Sequence, residues 1–448
     1  MRLRVRGGGA LRGKVRVPGD KSIGHRALLF AGLGRGASTL HGLSSGEDNL
    51  STLAALEAMG VRAERGEALT IHGVGLRGLS MPKDVVDCGN SGTTMRLLAG
   101  LLSAQRFGTR LVGDASLTGR PMGRVVDPLR ARGAHIGGSS KEGRPITEGK
   151  LYPPLSIAPL VEGEALAGIE YAMPVASAQV KSCLLLSGLY AAGPTSLQEP
   201  VVSRDHTERM MIALGVPLQT AGPAVHLDPS DWSGGWDAFE GTIPGDLSSA
   251  AFLLAAALMV PESRVVVEGV GVNPTRTGVL DVLRPMGAVV DLVPKPEGIR
   301  GEPTADLGVS HQALRGTLVG GELLVRMIDE VPVLCAMAAV ANGTTEIRDA
   351  GELRVKETDR IAAMAKALQD FGVPCEELED GMVIRGGGTL KAARVESHGD
   401  HRIAMSGALL GLCAEGETVI ENAGCIATSF PTFVETLRAL GARVEEDA

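Results

Sequence analysis

Residues Leu56–Ala63 read LEAMGVRA: an apolar residue, three variable ones, Gly, then Val or Ala, one variable position and usually an apolar residue. The same order returns as LRARGAHI (Leu129–Ile136), MIALGVPL (Met211–Leu218), LRPMGAVV (Leu283–Val290), LQDFGVPC (Leu368–Cys375) and LRALGARV (Leu437–Val444). The six glycines, Gly60, Gly133, Gly215, Gly287, Gly372 and Gly441, lie 73, 82, 72, 85 and 69 residues apart. Glycine enters the left-handed conformation without a Cβ penalty, so each copy predicts a helix end, a capping Gly and a following strand. Near-even spacing of six such copies marks a repeat protein.

A second pattern interleaves with the first. A polar residue (Asp20, Asn90, Ser177, Asp246, Asp329, Asp400) opens an apolar helix, and a β-prone segment follows: ASTLHGL, GTRLVGD, PTSLQEP, SRVVVEG, TTEIRDA and ETVIENA. Each unit therefore reads as βαβαββ-like in about 75 residues. The halves also match, VPGDKS at Val17–Ser22 against IPGDLS at Ile243–Ser248, which predicts two α/β domains of three units each. Their expected bounds are 19–242 for the N-terminal half and 1–18 plus 243–448 for the C-terminal half. Two such lobes imply a cleft between them, where small-molecule sites are usually found.

Composition narrows the function. Of 448 residues 61 are Gly, about twice the usual share of about 7%, with only two Trp, three Tyr and seven Phe. That fits many tight turns around small aliphatic cores. The net charge of −8 gives no field favouring nucleic acid, so any anion site must be built locally. Six cysteines without a CxxC pair predict free thiols in a reducing compartment, and the longest apolar run, Ala250–Pro261, is too short for the ~20 residues of a membrane span. A soluble cytoplasmic protein is expected.

Three clusters fall at predicted helix starts in the first half: PGDKSIGHR (Pro18–Arg26), CGNSGTTMR (Cys88–Arg96) and SAQVKS (Ser177–Ser182). Helix N-termini carry unsatisfied N–H groups and partial positive charge, so they receive anions. Gly19 and Gly92 would admit close backbone approach to a ligand, and Lys21 and Arg26 would add full charges. Plain capping by Asp, Asn and Ser is the other reading of the same residues. The second half offers MIDEV (Met327–Val331), RVKETDR (Arg354–Arg360) and GDHRIAMS (Gly399–Ser406). Lys356 and Arg360 stand i, i+4, on one face if helical, with Glu357 beside them. With Arg402, Arg120 and Arg204 they form an anion-binding set, since Arg suits bidentate phosphate and carboxylate recognition. Neither a phosphate loop nor a metal spacing occurs among the motifs, and GVGLRG (Gly73–Gly78) leads into LSMPKD rather than a helix. His25, His206 and His401 are expected as hydrogen-bonders, not metal ligands.

In this order the motifs PGDKSIGHR, GNSGTTMR, DASLTGRPMGR, SAQVKS, SRDHTER, NPTRTG, MIDE, RVKETDR, DHRIAMS and ATSFPTF resemble the 5-enolpyruvylshikimate-3-phosphate synthase family (3-phosphoshikimate 1-carboxyvinyltransferase), in its divergent class II bacterial branch. The resemblance runs essentially end to end. It implies two inside-out α/β prism domains, each of three repeated units, with an interdomain cleft. It also implies transfer of the carboxyvinyl group of phosphoenolpyruvate to the 5-hydroxyl of 3-phosphoshikimate in the shikimate pathway, by addition and elimination with release of phosphate.

By motif match Asp329 is the base on the 5-hydroxyl, with Lys21 and Glu357 handling protons on the enolpyruvyl side. Lys21, Ser22, Arg26, Ser177, Ala178, Gln179, Ser203 or Arg204, Asp329 and Lys356 would hold 3-phosphoshikimate. Lys21, Gly92, Arg120, Gln179, Arg360 and Arg402 would hold phosphoenolpyruvate. No metal or organic cofactor is implied, no nucleic-acid or membrane partner, and a monomer is expected. The chain departs from the class I pattern at Ala178 (a second serine there), Glu352 (an asparagine) and Thr428 (a lysine); Arg204 would compensate for Ala178. Gly92 lacks the alanine methyl that obstructs glyphosate in tolerant relatives, so partial sensitivity is expected. UDP-N-acetylglucosamine enolpyruvyl transferase shares the chemistry, but its catalytic Cys has no counterpart in ASLTGRP (Ala115–Pro121).

Overall fold

The structure, a computed structural model, describes residues 1–140 and 151–447. All six repeat glycines have positive φ, from 77° at Gly215 to 107° at Gly441. Around each, the chain closes the same two bonds. The N–H after the Gly donates to the carbonyl five residues back (Val61 to Leu56 at 3.1 Å, Val373 to Leu368 at 2.9 Å), and the Gly N–H donates three back. This left-handed stop satisfies helix-end carbonyls and pairs apolar side chains such as Leu368 and Val373, both buried.

Among the described residues, six four-stranded sheets follow from the six repeats. In each, a leading strand runs parallel to the strand beyond the long helix, and the other two pairings are antiparallel; Val86–Asp87, Thr109–Val112, Tyr152–Ile157 and Ile136–Ser139 are one such sheet. The N-terminal residues complete two sheets of the C-terminal half. Arg2–Arg6 lies antiparallel between Glu417–Glu421 and Arg443–Asp447. Arg12–Val15 runs parallel to Arg264–Gly271, the place that Glu240–Thr242 takes beside Arg35–His41 in the other half.

The chain clusters into two compact units: Gly19–Ile243 with Gly298–Glu302, and Met1–Pro18 with Pro244–Glu297 and Pro303–Ala448. The sequence reading places residues 298–302 with the C-terminal half; they cluster with the first unit. There Ile299 is buried against Gly241, where a Cβ would fall 2.6 Å from Ile299 Cγ1, and the Arg300 guanidinium lies 4.6 Å from the Phe239 ring centre.

Each unit has three long helices at its core: Lys21–Leu33, Gly92–Leu102 and Ala178–Gly188 in the first, Leu247–Met259, Val331–Val340 and His401–Cys413 in the second. A helix apolar all round must be buried all round, and all thirteen residues of Leu247–Met259 are. Four expected starts, Asp20, Ser177, Asp246 and Asp400, are N-caps. The second cap is Ser91 rather than Asn90, because Ser91 Oγ accepts from Thr94 N. Asp329 lies in a 3-10 turn, Ile328–Glu330, and its helix begins at Val331. Lys356 and Arg360 do not share a helical face: a 3-10 helix ends at Val355, and Asp359 caps a new helix from Arg360.

Gly215 and Gly372 have open space where a Cβ would sit, so an added methyl meets only backbone strain. Gly215→Ala and Gly372→Ala should each cost about 1 kcal/mol, read as a lowered urea midpoint at unchanged m-value.

Candidate active site

In the first unit the three long helices begin beside one another, tied by buried polar bonds. His25 Nδ1 is 2.7 Å from Thr52 Oγ1, which is 2.6 Å from Thr94 Oγ1, and Thr94 donates to Ser91 Oγ at 2.7 Å. Arg26 joins the first helix to the third. Its Nη2 donates to Ser182 Oγ (2.7 Å), its Nε to Thr207 Oγ1 (2.6 Å) and its Nη1 to the Ser22 carbonyl (2.8 Å). Arg96 joins the second to the third through Gln179 Oε1 (2.6 Å), while Gln179 Nε2 donates to Thr93 Oγ1 (2.9 Å).

Lys21 Nζ sits 2.8 Å from Asp48 Oδ2 at this end of the unit. Gly92 opens the second helix; a Cβ there would lie 3.0 Å from Arg96 Nη1 and 3.3 Å from Arg120 Nη1, so the missing side chain leaves both guanidiniums accessible to that spot. Arg120 is oriented by Asn90 Oδ1 (2.7 Å) and Ser116 Oγ (3.2 Å). Gly19 is needed for chain-on-chain approach instead of ligand approach, since its Cβ would fall 2.0 Å from the Gly42 carbonyl oxygen. Ser177 accepts from Val180 N as a cap and keeps its own hydroxyl hydrogen to donate. Ser203 Oγ donates to Glu199 Oε1 at 2.5 Å, which leaves Arg204 as the better-placed half of that pair to meet an anion.

Burial sets the charges here. Desolvation, with Lys21 and Arg26 nearby, holds the His25 ring well below the usual imidazole range, so it stays neutral. Burial also brings Arg26 down to about 10, against the pull of Glu208 and Asp20; Arg204 pushes the same way as burial. Arg26 remains charged at neutral pH.

The second unit gathers carboxylates and cations. Asp329 Oδ1 lies 3.6 Å from Lys356 Nζ and 3.5 Å from Arg360 Nη1. Arg360, only 2% exposed, also holds Glu357 Oε2 at 2.7 Å and Asp400 Oδ2 at 2.8 Å. Burial opposes its charge, but Asp400, Glu357 and Asp329 outweigh that and keep it above the ordinary arginine range. Arg402 Nη1 donates to the Asp329 carbonyl at 2.7 Å. Behind it, buried Glu330 accepts from Ser248 Oγ and stands 3.7 Å from Arg276. Among the described residues no group of three or more His, Cys, Asp or Glu is placed to hold a metal ion.

Thus Asp329, Glu357, Lys356, Arg360 and Arg402 come together in one unit, and Lys21, Ser22, Arg26, Gly92, Arg120, Ser177, Ala178, Gln179, Ser203 and Arg204 lie in the other. Sequence reasoning missed Asp48, Arg96, Asp400, Arg276 and Glu330. Arg96 had a signal, standing one helical turn after Gly92 in the quoted cluster. The partners of Lys21 and Arg360 are 27 and 40 residues away, and no local pattern reports them.

Fold and residue set define a duplicated α/β enzyme with cations and carboxylates gathered at helix starts. The EPSP synthase (3-phosphoshikimate 1-carboxyvinyltransferase) family model matches residues 5–437. A 3-phosphoshikimate 1-carboxyvinyltransferase of Geobacter sulfurreducens is 52% identical over 97% of this chain and 98% of its own, and one of Synechococcus is 49% identical over 97% and 98%. A solved EPSP synthase from Acinetobacter baumannii superposes with a TM-score of 0.86 at 42% identity, covering 99% of both chains. The chain belongs to the EPSP synthase family.

Because folded His25 stays neutral while an unfolded histidine titrates near 6.5, the unfolded state takes up the proton first as pH falls. His25 therefore contributes stability above about pH 6.5 that is lost below it, by up to about 1.4 kcal/mol per pH unit. Stability read by urea unfolding should fall more steeply between pH 7.5 and 5.5 for the wild type than for His25→Asn; equal slopes would show that folded His25 takes up a proton as readily as an unfolded histidine.

Proposed function

We propose that this chain transfers the carboxyvinyl group of phosphoenolpyruvate to the 5-hydroxyl of 3-phosphoshikimate, releasing phosphate, on the route to aromatic amino acids. One observation carries the residue roles: two partly exposed carboxylates, Asp329 and Glu357, share the buried guanidinium of Arg360, with Lys356 beside Asp329. The reaction needs such a set. The 5-hydroxyl must lose a proton as it attacks C2 of the enol, C3 must gain one, and the methyl so formed must lose one again as phosphate leaves. Asp329 takes the hydroxyl proton. Glu357 and Lys21 deliver and remove the proton at C3. Fixed cations next to each carboxylate stabilise charge that develops on the reacting groups.

Both substrates are polyanions, and the cation set answers them. Lys21, Ser22, Arg26, Ser177, the Ala178 backbone, Gln179, Arg204, Asp329 and Lys356 hold 3-phosphoshikimate. Lys21, Gly92, Arg120, Gln179, Arg360 and Arg402 hold phosphoenolpyruvate, and Arg96, next to Gly92, joins them. Turnover requires the residue sets of both units. We place the enzyme in the cytoplasm as a monomer. In support of the first, no helix of the described residues is long and apolar enough to cross a membrane; the second rests on the family resemblance.

Phosphate release tests this directly. Release should require both substrates together and vanish in Lys21→Ala. Glu357→Gln should lower kcat about 10²–10⁴-fold with both KM values within about threefold; an unchanged kcat would remove Glu357 from the proton transfers.

Gly92 supports a second prediction. Glyphosate should inhibit the wild type below about 1 mM at low phosphoenolpyruvate, and Gly92→Ala should raise that concentration at least about tenfold. The new methyl would occupy the spot that Arg96 and Arg120 face.

A further inference from the structure

The loop from Glu199 to His206 carries Arg204 between two buried anchors that the reaction itself does not explain. At one end Glu199 holds Ser203 twice, accepting from its backbone N–H through Oε2 (3.2 Å) and from its hydroxyl through Oε1 (2.5 Å). Lys181 Nζ donates to the Ser203 carbonyl (3.3 Å), so every polar atom of Ser203 is engaged. Lys181 is itself 1% exposed and sits 2.6 Å from both Glu199 Oε2 and Glu208 Oε1. At the other end His206 Nδ1 lies 2.8 Å from Glu302 Oε1, from the segment Gly298–Glu302; both side chains are buried. Between the anchors, Arg204 is half-buried and close enough to Arg26 to weigh against its charge.

Buried ion pairs are a weak way to stabilise a fold, because apolar residues of equal volume often serve as well. What they supply is direction. Two like-charged guanidiniums repel, and a loop free to move would carry Arg204 away from Arg26. We infer that Glu199 and Lys181 are positioning residues that fix the Ser203–Arg204 backbone and hold Arg204 beside Arg26, ready for the phosphate of 3-phosphoshikimate. Ser203 is then an anchor of the loop and not a ligand. The inference rests on the reading of Arg204 as a phosphate ligand given above.

Steady-state kinetics with both substrates varied, alongside thermal melting, separates the possibilities. Glu199→Leu keeps the volume and removes the anchor. It should raise KM for 3-phosphoshikimate about tenfold and leave kcat and KM for phosphoenolpyruvate within about threefold. Glu199→Gln should recover most of that loss, because its oxygen can still accept from Lys181 and Ser203 N while its amide donates to Ser203 Oγ. If Glu199→Leu does not fold, Glu199→Asp, one methylene too short to reach both partners, should show the same selective rise. A folded Glu199→Leu with unchanged KM for 3-phosphoshikimate overturns the inference, and so does an equal change in both KM values. Arg204→Ala serves as the control: if it leaves KM for 3-phosphoshikimate unchanged, the phosphate assignment fails and not the anchoring.

Discussion

In each unit three long helices start side by side, and their free N–H groups point the same way. Partial positive charge therefore concentrates at one end of each unit, and unsatisfied donors collect there. The first unit satisfies this constraint with caps at Asp20, Ser91 and Ser177 and with hydroxyl bridges from His25 to Ser91. The second satisfies it with side-chain caps at Asp246 and Asp400, carboxylates that in turn hold Arg276 and Arg360, while Glu330 stands 3.7 Å from Arg276 and 3.9 Å from Arg402.

Guanidiniums buried among carboxylates are costly to desolvate, and the cost is offset only where partners are close and well aimed. Arg360 shows the balance, with Asp400 at 2.8 Å, Glu357 at 2.7 Å and Asp329 at 3.5 Å. Losing the guanidinium would leave the buried Asp400 uncompensated in a medium of low dielectric. The arrangement is therefore stiff, and stiffness is what fixed-charge catalysis needs: groups already oriented when charge develops. At its helix starts the first unit pairs Lys21 with Asp48 and Lys181 with Glu199 and Glu208, and adds the hydroxyls that bridge its helices.

The duplicated frame makes the divergence visible. PGDKS and PGDLS occupy matching places, so Lys21 in one half corresponds to Leu247 in the other. Asn49 and Arg276 each stand eleven residues before their repeat glycines, Gly60 and Gly287. Asn49 donates to the Lys21 carbonyl, whereas Arg276 reaches Ser248, Asp246 and Glu330. Each half thus keeps a cation near the start of its first helix but draws it from a different element.

The sequence by itself determined the repeat count, the helix ends at the six glycines, the class of fold and the chemistry-bearing motifs. Those are local properties: a left-handed cap needs Gly within one turn of its helix, and an apolar run needs burial whatever covers it. Tertiary structure alone decided which charges meet. Asp48 for Lys21, Asp400 for Arg360 and Glu199 for Ser203 lie on different elements or across a loop, and no periodicity links them. It also decided that Lys356 and Arg360 both face Asp329 across a break between two helices, although their spacing reads as one helical turn. Residues 298–302 belong with the first unit for the same reason. Ile299 is buried against Gly241 and Glu302 pairs with buried His206, and such contacts exist only once the chain has folded.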